Sequence, residues 1–138
     1  MNILGNPVRV LLALLAVFLF RVAFAGLVHG PLFLHKLVYK HHASLMSTDL
    51  NFPALLGGEL AVSLILVGLY LYHFPQRSSV QSALFFGTIA GVTLYLPQNL
   101  FNWILIEEFA GTVFWCWFLS GMIGSTLSVL IFHVTYRR

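Results

Sequence analysis

Three carboxamides, Gln98, Asn99 and Asn102, flank Pro97 inside an apolar run that extends from Ala83 to Ile106. An amide in hydrocarbon without a partner costs several kcal/mol, so this segment must face protein, water or a ligand. Arg21 and Glu59 interrupt two other apolar runs. A guanidinium and a carboxylate at matching depth can pair, and the carboxamides can saturate the donors and acceptors left over. Intramembrane ionisable residues of this kind either hold helices together or line a pathway or ligand cavity. Both readings stay open on the sequence.

Depth decides whether these groups can meet. Counting a rise of about 1.5 Å per residue from the nearer helix end, Arg21 lies about 10 Å down and Glu59 about 9 Å. Asn102, Asn99 and Gln98 lie about 6 to 12 Å down, and Cys116 about 10 Å. One slab therefore collects the costliest side chains of four segments. A second option for Arg21 is to stretch to the headgroups.

The histidines offer different chemistry. His29, His35, His41 and His42 share one side with Asp49, Glu107 and Glu108, and imidazoles with carboxylates can bind zinc or copper. His41 and His42 are adjacent rather than four apart, and no HExxH spacing occurs. They read as interfacial polar residues, with His35, His41 and His42 as the candidates should a metal bind. His73 and His133, near the other ends of their helices, are the pair that could hold a haem. No cofactor is expected.

The elements that must position these groups are membrane spans. The chain is 138 residues long, 59% apolar and only 8% charged, against about 25% charged for a soluble domain. Its mean hydropathy is +0.92. Four runs approach or exceed the roughly 20 residues needed to cross a bilayer: about 7–28, 53–74, 83–106 and 109–134. The expected fold is all-α, a single antiparallel four-helix transmembrane bundle covering residues 1–138. A stretch like a signal peptide, from Arg9 to Ala25, is broken by Arg21 and reads as an anchor helix. The net charge of +3 sits at helix ends with no basic stripe, which argues against a nucleic-acid partner. Arg9, Arg77, Arg137 and Arg138 fall on one side and Lys36 and Lys40 on the other, so both termini are expected in the cytoplasm. The single cysteine excludes an intrachain disulfide.

Helix packing signals are strong. In the third span Gly87 and Gly91 form a GxxxG pair on the face that also carries Tyr95, Gln98 and Asn102. In the fourth, Cys116, Ser120, Gly124 and Ser128 recur every four residues, widened by Gly121 and Ser125; small residues at such spacing let helices approach closely. In the second span Glu59, Ser63, Leu66, Tyr70 and His73 fall within about an 80° sector, an inward stripe. The short turn Gln76 to Ser79 makes the second and third spans expected neighbours. Trp103, Trp115 and Trp117 suit an interfacial belt.

The stretch Gly26-Leu27-Val28-His29-Gly30-Pro31-Leu32-Phe33 resembles a family of small four-span bacterial membrane proteins of unknown function. In that family the first helix ends in a Gly-x-x-aromatic-x-Pro-x-x-Phe-Gly-Lys pattern, and His29 stands here at the aromatic position. Gly87, Gly91, Asn99 or Asn102, Glu108, Gly121 and Gly124 extend the resemblance into the second half. It implies a four-span bundle in the bacterial inner membrane and no particular chemistry. Small multidrug transporters share the size and span number, but their intramembrane glutamate lies in the first helix rather than the second. The leading expectation is a non-enzymatic accessory or assembly subunit of a larger membrane complex or an oligomer, its partners being lipid and other helices. A proton-coupled transporter or small-ligand binder using Glu59 and Arg21 is the alternative, and a metal or haem redox subunit the third.

Overall fold

Asn6, Asn51 and Ser79 each start a helix in the computed structural model, which describes residues 6–29, 51–74, 79–106 and 111–137. The Asn6 side chain accepts from the Val8 amide at 3.0 Å, ahead of α1, Pro7–His29. Asn51 accepts from the Ala54 amide at 3.1 Å and caps α2, Phe52–His73. Ser79 accepts from the Ser82 amide at 3.0 Å and caps α3, Val80–Leu105. The fourth helix, α4, covers Gly111–Arg137. Each cap satisfies an amide that the first helical turn leaves without a partner.

With 23, 22, 26 and 27 residues, the helices are roughly 33 to 41 Å long, against a hydrocarbon core of about 30 Å. All four are apolar enough to cross a membrane, and no strand occurs among the described residues. The protein is an all-helical integral membrane protein. Two boundaries differ from the apolar runs. The Ser79 cap starts α3 at Val80 rather than at Ala83, and α4 continues past Val134 because backbone hydrogen bonding outlasts the apolar side chains. Pro97 lies inside α3, where it has no amide to offer the Thr93 carbonyl; the helix continues on both sides of it.

Contacts fix the directions. Arg21, late in α1, meets Glu59, early in α2, and also Tyr95, late in α3. Tyr70, late in α2, meets His133, late in α4. Hence α1 and α3 run one way and α2 and α4 the other, with the start of α1 and the end of α4 at the same side of the bundle.

The most extensive packing is between α3 and α4. A Cβ added to Gly87 would lie 2.7 Å from the Thr126 Cα, and one on Gly91 2.8 Å from the Met122 Cα. Only glycine lets the two backbones come this close. Helix α1 packs on α4 and α2, and α2 also touches α4. The expected close pairing of α2 with α3 does not extend along the helices. Their contact is slight and concentrated near the connecting turn, where Phe86 meets Tyr70 and Phe74 with ring centroids 5.5 and 5.9 Å apart. A short turn fixes neighbours only at the turn; beyond it, α3 follows its glycine seam onto α4. The core at the end where α1 begins and α4 finishes joins Ala13 and Val17, Leu66 and Tyr70, Ala83 and Ala90, and Val129 and Phe132.

Candidate functional site

At the opposite end, where α2 and α3 have separated, Arg21 spans the gap. Its Nε donates to Glu59 Oε2 on α2 at 2.6 Å, and its Nη2 donates to the Tyr95 hydroxyl on α3 at 2.7 Å. Arg21 is only 5% exposed, so it does not stretch towards headgroups. One guanidinium thereby ties three helices, of which α2 and α3 touch each other only slightly. Glu59 is half-buried, and its backbone carbonyl accepts from the fully buried Ser63 hydroxyl at 2.7 Å.

The carboxamides behave differently from expectation. They do not saturate the ion pair; the Tyr95 hydroxyl takes that place. Asn99 is 2% exposed and turns its Nδ2 back to the Tyr95 carbonyl at 2.8 Å. Its Oδ1 is buried and has no hydrogen-bond partner among the described residues. Gln98 is exposed and stands in the wall of the cavity described below, whereas Asn102 is half-buried and outside it. Asn102 lies three residues, about 4.5 Å, nearer the helix end. At that level the α3–α4 space is taken by Trp103 on Phe114, with centroids 5.4 Å apart.

The polar groups surround a partly open cavity of about 130 Å³. Helix α1 contributes Arg21, Phe24 and His29, α2 contributes Glu59, and α3 contributes Tyr95, Gln98 and Asn99. Helix α4 supplies Trp117, Ser120, Gly121 and Gly124. The glycines here seat rings rather than a backbone. A Cβ on Gly121 would overlap the Tyr95 ring, and one on Gly124 would lie 3.0 Å from the Phe24 ring. Gly121 therefore sets where the Tyr95 hydroxyl reaches Arg21. His29 packs edge-on against Trp117 at 6.3 Å, which draws Trp117 into the cavity wall while Trp103 and Trp115 stay exposed. Ser120 donates to the Trp117 carbonyl at 3.1 Å. Ser128, almost fully buried, donates to the Gly124 carbonyl at 2.6 Å, and Cys116 is half-buried.

Other candidates separate from this site. His35, His41 and His42 lie outside the described residues, and among the described residues no group of three His, Cys, Asp or Glu comes together. His133 is buried and bonds through Nδ1 to the Tyr70 hydroxyl at 2.7 Å. His73 leaves the expected inward stripe of α2: it is exposed and bonds the Leu69 carbonyl of its own helix at 2.9 Å. Tyr95 and Trp117 are the functional candidates that residue types alone did not single out. Tyr95 carried a signal, since it shares a helix face with Gln98; Trp117 carried none, because its role depends on His29 from another helix. Comparison of the chain with family models, curated proteins and solved structures finds no match.

Proposed function

We propose that this integral membrane protein binds a small polar molecule in the cavity between Arg21, Glu59, Tyr95 and Asn99. The observation that carries this reading is a partly open cavity of about 130 Å³ whose wall includes Arg21, Glu59, Tyr95 and Asn99. Buried side-chain polar atoms normally find partners, and a purely structural network closes on itself. Here the guanidinium gives one N–H to Glu59 and one to Tyr95 and keeps three more donors with no hydrogen-bond partner among the described residues. With both termini in the cytoplasm, as the arginine distribution favours, the cavity opens in the outer half of a bacterial inner membrane.

Thiol labelling tests the reading. In a Cys116→Ser background, Ala25→Cys in the cavity wall should react with a small neutral thiosulfonate far faster than Ala13→Cys, which is fully buried. Addition of a bound solute should slow the first reaction only. Equal, slow rates at both positions would mean that small molecules do not enter.

A second reading draws on the lipid-facing side of α2. Gly57, Gly58 and Gly68 are exposed, with open space wherever a Cβ would stand, which suits close approach of another helix. An accessory role in a larger membrane complex, or self-association, would use that side. Mass measurement in mild detergent tests it, and a lone monomer at high concentration counts against it.

A further inference from the structure

The Arg21–Glu59 pair spends only part of its hydrogen-bonding capacity on itself. Arg21 gives its Nε proton to Glu59 Oε2 and one Nη2 proton to the Tyr95 hydroxyl. A guanidinium has five donors, so three stay without a hydrogen-bond partner among the described residues, two of them on Nη1. On the carboxylate, Oε1 accepts from no donor among the described residues. Neither Nη1 nor Oε1 is sealed in. The side-chain polar atoms that are both enclosed and unpartnered among the described residues are Asn99 Oδ1 and Ser125 Oγ. Nη1 and Oε1 therefore keep accessible surface, although the Arg21 side chain is only 6% exposed and that of Glu59 16%. Both residues stand in the cavity wall, whereas the enclosed Asn99 oxygen takes no part in the contacts considered next.

Spare donors on a guanidinium suit an anionic group, and a spare carboxylate oxygen suits a cationic one. The pair itself is neutral. A lone anion or a lone cation can use one of these atoms, but it leaves the site with a net charge inside the membrane, where charge is costly. A molecule that carries both signs uses both atoms and adds no net charge. We infer that the cavity takes a small zwitterion, its negative group on Arg21 Nη1 and its positive group on Glu59 Oε1, in the manner of a short amino acid. The inference rests on the proposal that the cavity binds solutes, and adds the chemical class. Tyr95 supports the negative end: its oxygen accepts from Arg21, so its own proton is left to donate. A volume of about 130 Å³ admits only a handful of heavy atoms or a few waters.

Four small probes separate the possibilities at neutral pH: glycine, acetate, methylammonium and acetamide. Binding to the detergent-solubilised protein is read from Trp117 fluorescence after Trp103→Phe and Trp115→Phe, both at exposed positions. Glycine should give a saturable change with a dissociation constant on the order of millimolar. The other three should bind at least about tenfold more weakly, because each lacks one or both charged contacts. In Glu59→Gln the positive end loses its counter-charge while Arg21 keeps its own, so acetate should overtake glycine. If that variant does not fold, the ranking in the unaltered site decides alone. Acetate, methylammonium or acetamide binding as tightly as glycine overturns the inference but keeps a solute site, and so does an unchanged ranking in a folded Glu59→Gln. No saturable response to any of the four overturns both, and assigns the volume to water alone.

Discussion

The two ends of the bundle join the same helices by opposite means. At the end where α1 begins and α4 finishes, α2 and α3 meet through rings: Tyr70, Phe74 and Phe86 pack tilted or edge-on against one another, Phe132 closes on Tyr70 at 5.9 Å, and the Tyr70 hydroxyl is bound to His133. At the far end the bridge between α2 and α3 among the described residues is the Arg21 side chain, and a cavity remains. Rings can slide and tilt until a space is filled, and their polar tips need one partner each. A guanidinium and a carboxylate must keep short, directed contacts. Helices held apart at that distance cannot then collapse onto the remaining volume. The difference teaches that cavity and ion pair are one feature: the pair props open what it ties together.

Removing one charge is the most severe way to break the comparison. Glu59→Leu leaves Arg21 buried without its carboxylate and should destabilise the protein by about 3–5 kcal/mol, read by denaturant titration in mixed micelles. The double variant Arg21→Met with Glu59→Leu should recover most of that loss; if both are equally damaged, the pair is not a coupled unit.

The shared seam should come next. Gly91→Ala pushes a methyl against the Met122 backbone and should cost about 1–3 kcal/mol. Gly57→Ala, with open space around it, should be neutral or mildly stabilising by less than about 1 kcal/mol. Equal losses at the two glycines would place the strain elsewhere than in the α3–α4 approach.

At the aromatic end, Tyr70→Phe leaves the buried His133 without its hydroxyl partner and should cost about 1–3 kcal/mol, with accessibility at Ala25 unaltered. A change at Ala25 would show that the two ends are coupled. The smallest effect belongs to Ser125, whose buried hydroxyl has no partner among the described residues. Ser125→Ala should change stability by no more than about 0.5 kcal/mol, with a gain as the expected sign.

Much of this was legible in the chain itself. Four apolar runs define the spans, because a bilayer demands both length and internal hydrogen bonding. The depths of Arg21 and Glu59 followed from helical rise alone, and so did the glycine pair of α3. These are one-dimensional facts: each depends on a residue's distance along its own helix. Which carboxamide is buried, and that Tyr95 rather than an amide completes the Arg21 contacts, depend on how helices rotate and separate. Gly121 admits the Tyr95 ring and Gly124 the Phe24 ring only because other helices deliver them there. The divergence of α2 from α3 belongs to the same class, since a turn constrains only its own ends while the glycine seam to α4 decides where α3 goes. Periodicity determined what each helix carries and how deep; packing alone decided which neighbour each face would meet, and so left Asn99 with an unanswered oxygen.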